Sequence, residues 1–212
     1  MLEYLKKEMN NLNSSEINSA DKIISICQNF YDKPAHNMQE LKNKNQKSKG
    51  DIFENFCKLY LINCYNLKDV WLLNEIPEEV RTKLNLDKKD FGIDIIGVDN
   101  KDNYYAVQAK FRKKNNKKTC VTWKQLSTFY ALCLKTGPYY KHIVFTTADY
   151  VKRIGKKDNK DITIGYNKLT KIDHFTWIDM CKETKNNEEI KNKPLSLEEL
   201  RKKRLEFYSI KV

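Results

Sequence analysis

Residues 90–114 of the chain have the sequence DFGIDIIGVDNKDNYYAVQAKFRKK, which predicts two apolar strands joined by a polar turn. Asp94 lies in the first strand among isoleucine, glycine and valine, a pattern that indicates a central strand buried on both faces. Gln108 and Lys110 lie two residues apart in the second strand, so their side chains share one face. The sequence therefore predicts a hairpin in which one acid faces a polar residue and a lysine on the neighbouring strand.

The segments on either side of this hairpin predict a mixed α/β sheet with helices on its faces. Apolar residues recur at helical spacing in residues 51–66, for which Asp51 is the expected N-cap. The other expected elements are strands at 69–76, 92–99, 103–112, 142–147 and 174–179, a short helix or an irregular excursion after Pro77, a helix at 122–135 with Thr122 at its cap, and a C-terminal helix opened by Ser196 and Glu199. Residues 149–171 are polar and lysine-rich, and we assign no element to them.

Changes in composition divide the chain of 212 residues into three expected parts. Residues 1–49 are expected to form an N-terminal helical appendage that ends in a polar linker, KNKNQKSK. Residues 50–180 are expected to hold the sheet core, and residues 181–212 a C-terminal linker and helix.

The net charge of +12 and the pI of about 9.3 favour a polyanionic partner such as nucleic acid. An alternative origin of this charge is an AT-rich genome, which enriches lysine and asparagine codons. The clustering of basic residues is more informative, because residues 110–118, KFRKKNNKK, carry six basic groups and no acid.

Neither a membrane span nor a secretory signal is expected. No stretch of about 18 apolar residues occurs, and the N-terminus MLEYLKKEMNN lacks an apolar run. We therefore expect an intracellular protein, cytoplasmic or nuclear, that is not secreted and has no membrane partner. The six cysteines form no C-x-x-C pair, so they are expected to be reduced core residues and not zinc ligands.

The hairpin residues have the chemistry that a metal-dependent phosphodiesterase needs. A buried carboxylate without a partner costs several kcal/mol, so Asp94 requires a cation or a strong donor. Gln108, through its side-chain oxygen, and Ala109, through its backbone carbonyl, are the next expected ligands of a hard cation. Lys110 would hold the phosphate or activate water, and Glu54 would reach the metal from the helix. The alternative for Glu54 is a solvated helix acid that pairs with Lys58 at i+4.

The order DFGID, then QAK, resembles the PD-(D/E)XK nuclease superfamily in its Mrr-like restriction-endonuclease branch, which often has glutamine in place of glutamate. The preceding helix, KGDIFENFCKLYL, resembles the first helix of that family, which contributes an acid. The resemblance covers about residues 48–147. It implies a restriction-endonuclease-like fold and a Mg²⁺-dependent DNA endonuclease, in which Mn²⁺ would substitute. It makes Asp94, Gln108 and Lys110 the catalytic triad and Glu54 the helix acid, and cleavage would leave a 5′-phosphate and a 3′-hydroxyl.

Basic residues next to the catalytic strand are expected to contact the DNA backbone. They are Arg112, Lys113, Lys114, Lys117 and Lys118, followed by Lys124 and Gln125 at the start of the next helix, whose N-terminus could face a phosphate. The alternative is a solvated lysine-rich loop.

Three alternatives remain open for the function. A Holliday-junction or branched-DNA resolvase of the same fold would act as a symmetric homodimer, because it cuts two strands. A catalytically weakened DNA-binding module is a second alternative, motivated by Gln108, which removes one negative charge from the metal site. Similar domains occur alone or attached to viral and plasmid helicases, so a nuclease subunit that works with a helicase partner is the third.

Overall fold

The structure is a computed structural model that describes residues 1–32, 48–87, 92–114, 116–152 and 158–182. Most of the expected linker before residue 50 and the expected C-terminal helix lie outside the described residues. By its internal contacts the chain divides into two compact units, Met1–Cys181 and Lys182–Val212.

Five strands form one mixed sheet in the order β1-β2-β3-β5-β7. The first three strands are antiparallel neighbours, and β5 and β7 run parallel to β3. The strands β4 and β6 form a separate two-stranded parallel ladder. In chain order the strands are β1 (Asp69–Leu72), β2 (Ile95–Val98), β3 (Tyr104–Lys110), β4 (Cys120–Thr122), β5 (Lys141–Thr146), β6 (Tyr150–Lys152) and β7 (Asp161–Ile164).

Helices cover both faces of this sheet. In chain order they are α1 (Leu2–Asn11), α2 (Ser19–Asp32), α3 (Ser48–Asn63), α4 (Glu78–Leu84), α5 (Trp123–Lys135), α6 (Tyr166–Leu169) and α7 (His174–Cys181), with a 3₁₀ turn at Leu73–Glu75. One hydrophobic cluster joins α1, α2, α3 and α7 to one face of the sheet, and a second joins α4 and α5 to the other face. The expected mixed α/β fold with flanking helices is confirmed.

Aromatic side chains make the centre of the first cluster. Phe145 of β5 is fully buried, and its ring lies 5.8 Å from Phe53, 6.3 Å from Phe56 and 5.1 Å from Tyr60, measured between centroids. Burial of one such side chain stabilises a fold by about 1.5–3 kcal/mol. These rings therefore attach α3 firmly to the sheet and fix where its side chains lie.

The N-terminal helices belong to the same core as the sheet. Leu5 and Met9 of α1 and Ile23 and Cys27 of α2 are fully buried in the cluster that contains Phe145. The domain boundaries at residues 49 and 180 stay predictions. Within the described ranges, no helix is long and apolar enough to cross a membrane.

Several expected elements are confirmed, including the hairpin, the helix at 122–135 and the strand within 142–147. The expected strand at 174–179 is wrong, because these residues form α7. Asp173 accepts a hydrogen bond from the backbone N–H of Thr176 at 2.9 Å and so caps a helix. Trp177, Met180 and Cys181 then bury one face of it at helical spacing.

Two boundaries also differ from expectation. Asp51 is not an N-cap, because α3 begins at Ser48. The first strand ends at Leu72, where the carboxylate of Glu75 accepts a hydrogen bond from the Leu72 N–H at 3.0 Å and starts the 3₁₀ turn. The polar stretch at 149–171, to which no element was assigned, contains β6, β7 and α6.

Candidate active site

Asp94 and Gln108 face each other across the β2–β3 hairpin. The backbone N–H of Asp94 donates to the carbonyl of Val107 at 3.0 Å, which extends the ladder one residue beyond β2. The Oδ2 atom of Asp94 accepts hydrogen bonds from Gln108 Nε2 at 3.3 Å and from the Ala109 N–H at 2.6 Å. Asp94 is 9% exposed and Gln108 is 3% exposed, so the contact is shielded from water.

These contacts explain how a carboxylate is tolerated at a buried position. Hydrogen bonds to an ionised acceptor contribute about 1.5–3 kcal/mol each, which offsets part of the cost of removing Asp94 from water. The donors come from the strand that also carries Lys110. The local hydrogen bonding of the hairpin therefore holds an anionic oxygen beside the polar face of β3.

The helix α3 brings Glu54 close to the same end of the sheet. Cys57, one turn beyond Glu54, is fully buried, and its pKa is raised well above its ordinary value by burial and by the negative charges of Glu54 and Asp94. Both carboxylates therefore lie near the Cys57 thiol. Lys58, the alternative partner expected for Glu54, has its Nζ atom 2.5 Å from Glu75 Oε2.

Lys110 ends β3 with a half-buried side chain. The backbone carbonyl of Lys110 accepts a hydrogen bond from Thr146 Oγ1 at 2.6 Å, which fixes this strand end against β5. A cavity of about 320 Å³ opens beside it. Its lining is Tyr31 and Asp32 of α2, Phe53 of α3, and Ala109, Lys110, Phe111 and Lys113 of β3 and the segment after it.

The donors present suit a hard divalent cation. Asp94 offers a carboxylate, Gln108 an amide oxygen, Ala109 a carbonyl and Glu54 a second carboxylate, all oxygen ligands of the kind that Mg²⁺ and Mn²⁺ bind. Burial and the negative charges of Glu54 and Asp94 raise the pKa of the Cys57 thiol, so this buried group is a neutral thiol in the free protein. In the part of the chain that the structure describes, no group of three or more His, Cys, Asp and Glu side chains is arranged to hold a metal. A metal here would therefore rely on amide and carbonyl oxygens beside two acids.

A family model described as restriction endonuclease, from the Mrr catalytic group, matches residues 63–190. The chain belongs to this restriction-endonuclease family. The expected Mrr-like resemblance is thereby confirmed, and the protein is a nuclease-type domain of a family that typically uses divalent metals. No curated protein matches the chain significantly. The match contains Asp94, Gln108 and Lys110, and it begins at the last residue of α3, so Glu54 lies outside it.

In this restriction-endonuclease domain, the first residues of the basic segment contact other parts of the fold. Thr147 fixes the backbone of Arg112, since its hydroxyl accepts from the Arg112 N–H at 2.7 Å and donates to the Arg112 carbonyl at 2.8 Å. The next two side chains are directed to α2. Lys113 Nζ lies 2.5 Å from Asp32 Oδ1, and Lys114 Nζ lies 2.8 Å from Asp21 Oδ1.

The contact between Lys114 and Asp21 is also reinforced by Tyr166. Burial alone would raise the pKa of Asp21, but hydrogen bonds from Lys114, Tyr166 and Asn18 outweigh it and hold the pKa below its ordinary value. The hydrogen bonds to Asp21 and Tyr166 raise the pKa of Lys114 correspondingly. The free protein therefore holds this lysine against an acid, where a phosphate would have to compete.

The remaining expected DNA contacts lie further along the chain. Lys117 and Lys118 are exposed and line a cavity of about 160 Å³ beside β4. Lys124 is exposed in the first turn of α5. The side-chain oxygen of Gln125 accepts a hydrogen bond from the Thr122 N–H at 3.0 Å, so this residue caps α5.

Residues of α2 complete this region, and their position was missed by the sequence reasoning. Asp32 meets Lys113 across 81 positions of sequence, and Asp21 meets Lys114 across 93. The amphipathic pattern of α2 predicted a helix, but it carries no information on which strand end the helix approaches.

Proposed function

We propose that the protein is a Mg²⁺-dependent DNA endonuclease that hydrolyses phosphodiester bonds. The observation that supports this most directly is the position of the Asp94 carboxylate, which lies within hydrogen-bond distance of Gln108 and Ala109. Both of these residues belong to β3, the strand that also carries Lys110. Family membership gives the nuclease class, and the hairpin geometry supports the choice of residues.

Asp94, Gln108 and Ala109 would hold the cation, with Glu54 as a further ligand, direct or through water. A bound Mg²⁺ or Mn²⁺ supplies positive charge to the phosphoryl oxygens and activates water. Gln108 donates its amide N–H to Asp94, which leaves its amide oxygen as the atom suited to a cation. The same side chain thus orients one ligand while it provides another.

Lys110 is the residue proposed to act on the substrate itself. Its ammonium group would donate hydrogen bonds to a non-bridging oxygen of the scissile phosphate and would orient the attacking water. Attack by water on phosphorus breaks the bond to the 3′ oxygen, which leaves with a proton as a 3′-hydroxyl, and the phosphate stays on the 5′ end. The bond from Thr146 to the carbonyl of Lys110 keeps the strand end in place.

The basic segment would bind the DNA backbone on both sides of the cut. Arg112, Lys117, Lys118 and Lys124 are the residues to which we assign phosphate contacts, since each is close in sequence to the strand end or to the start of α5. Lys113 and Lys114 would join them by leaving their acids. Gln125 would contribute through its amide N–H₂ group, because its oxygen is used in the cap.

A plasmid-nicking assay tests the proposal. Supercoiled DNA is incubated with the protein and Mg²⁺, Mn²⁺ or EDTA, and with the variants Asp94→Asn and Lys110→Ala. Matched controls are Asp102→Asn, in an exposed turn, and Lys83→Ala, on the surface of α4. We expect metal-dependent cutting that both controls retain and that both site variants lose by more than about 100-fold, the scale typical for removal of one group that stabilises the transition state. Circular dichroism should show all four variants folded.

Cutting by Lys110→Ala at the wild-type rate would refute the site assignment. DNA binding without cutting in either metal would instead support the weakened binding module that Gln108 motivates. Adding a synthetic four-way junction to the assay separates duplex endonuclease from resolvase. The homodimer, the helicase partner and the intracellular location stay predictions. Sedimentation with and without DNA tests the homodimer.

A further inference from the structure

The cavity beside Lys110 has largely aromatic walls, although it adjoins the residue proposed to bind a phosphate. Three of its lining residues are aromatic: Tyr31, Phe53 and Phe111. The rings of Tyr31 and Phe111 lie 5.4 Å apart at 63°, and those of Phe53 and Phe111 lie 5.8 Å apart at 58°. These tilted rings form an apolar corner, and its volume of about 320 Å³ is at the lower end of ligand pockets, which span roughly 300–1,000 Å³.

The rim of the same cavity is polar and charged. Asp32 and Lys113 form an ion pair there with side chains 60% and 49% exposed, so both groups face solvent at the mouth. When Lys113 leaves Asp32 for a phosphate, the Asp32 carboxylate can accept hydrogen bonds from amino and imino groups. An aromatic interior with this acceptor at its mouth matches a flat heterocycle that has polar edges.

The position of the cavity next to Lys110 indicates which part of a nucleic acid could reach it. Lys110, the residue assigned to the scissile phosphate, forms part of its wall. A nucleotide whose phosphate meets Lys110 therefore has its base close to the mouth of the cavity. A base that is stacked and paired within a duplex can enter only after it leaves the stack, which costs a few kcal/mol.

We propose that this cavity binds an unpaired nucleobase next to the cleaved phosphodiester, with Tyr31 as its stacking surface. The inference rests on the proposed nuclease function and specifies its substrate class. DNA with a base that is already unpaired, in a bulge, flap or branch point, binds more tightly than a perfect duplex because it enters without the cost of unstacking. The helix α2, far along the chain from the catalytic strand, thereby contributes to substrate choice.

The test measures the contribution of the base alone, in EDTA so that no strand is cut. Two duplexes carry a single-nucleotide bulge, one with thymidine and one with an abasic tetrahydrofuran residue, and the ratio of their dissociation constants gives the base-dependent affinity. The protein variants are Tyr31→Phe, which keeps the ring, and Tyr31→Leu, which keeps apolar volume without it. Tyr4→Leu is the matched control, because Tyr4 lies in the same aromatic region, 5.2 Å from Phe30, and is not among the residues that line the cavity.

We expect the abasic bulge to bind about 5- to 150-fold more weakly than the thymidine bulge, the range associated with loss of one aromatic stacking contact. Tyr31→Phe and Tyr4→Leu should keep that ratio, and Tyr31→Leu should reduce it to near one. A wild-type ratio of one, or a ratio unchanged in Tyr31→Leu, would overturn the inference. Either result could occur with normal metal-dependent nicking, so the failure of the pocket is distinguishable from failure of the nuclease proposal.

Discussion

Replacement of Gln108 by glutamate tests whether this side chain belongs to a metal site. In the free protein its Nε2 atom donates to Asp94 Oδ2 at 3.3 Å. Gln108→Glu replaces that donor with a second carboxylate against the first, at a position only 3% exposed. A divalent cation would relieve the repulsion, so the variant should depend on metal for its stability.

The expected loss in the free energy of unfolding follows from the distance between Gln108 Nε2 and Asp94 Oδ2. Two unit charges 3.3 Å apart repel by about 5 kcal/mol at an effective dielectric constant near 20. Protonation of the introduced carboxylate gives a state of lower free energy, because holding a carboxyl with an ordinary pKa near 4.3 protonated at pH 7 costs about 3.7 kcal/mol. The free energy of unfolding should therefore fall by roughly 3–4 kcal/mol at pH 7 in EDTA.

This penalty has a defined pH dependence. The folded-state pKa of the introduced carboxyl is raised above its unfolded value, so the folded state binds more protons. The destabilisation is absent below the unfolded pKa and grows by about 1.4 kcal/mol per pH unit above it, which gives about 1 kcal/mol at pH 5. In its protonated form the introduced carboxyl can also donate a hydrogen bond to Asp94, which replaces the one that glutamine makes.

Urea unfolding at pH 5 and pH 7, in EDTA and in millimolar Mg²⁺ or Mn²⁺, provides the measurement. Gln125→Glu is the matched control, because Gln125 is exposed and glutamate can cap α5 equally well. We expect Gln108→Glu to regain stability with metal and with acid, and the control to change by less than about 0.5 kcal/mol. A Gln108→Glu variant as stable as wild type at pH 7 in EDTA would refute the reasoning about this contact.

Two further predictions concern the basic segment and the core. The double variant Lys117→Ala, Lys118→Ala should reduce the slope of log K for DNA binding against log salt by about 1.8. The double variant Lys113→Ala, Lys114→Ala should reduce that slope less, because these two lysines must first leave their acids. Equal reductions of the slope in a fluorescence-anisotropy titration would contradict this prediction. Phe145→Ala should lower the free energy of unfolding by about 3–5 kcal/mol, since the ring is fully buried among three others, and a loss below about 1 kcal/mol in urea would contradict the packing of α3 on β5.

The contact between Asp94 and Gln108 could be predicted from the sequence because its determinants are local. Asp94 and Gln108 lie 14 positions apart in one hairpin, and an apolar pattern with a turn of Asp and Asn residues fixes such a hairpin. Asp99 accepts hydrogen bonds from the backbone N–H groups of Lys101 and Asn103, at 2.8 and 3.0 Å, and closes the turn. Side-chain alternation then places Gln108 on a known face.

The parts that the sequence reasoning missed depend on distant contacts. The strand β7 is short and polar at its start, and it exists because β5 offers it a parallel edge in the buried sheet. The aromatic composition of α7 favoured a strand, but the Asp173 cap and the burial of Trp177 against α1 select a helix, as the indole N–H donates to the Met9 carbonyl at 3.1 Å. Tertiary packing overrides local propensity in such short elements.

The hydrogen bond from the Ala109 N–H to Asp94 Oδ2 makes this amide a reporter of local opening at the end of the hairpin. This amide is protected from exchange with solvent deuterium only while the strand end is closed and the carboxylate is in place. Since both groups belong to one hairpin, a local fluctuation can release them without global unfolding. The deuterium uptake of Ala109, compared with that of Phe145 deep in β5, would therefore report the lifetime of the assembled centre separately from the lifetime of the whole fold.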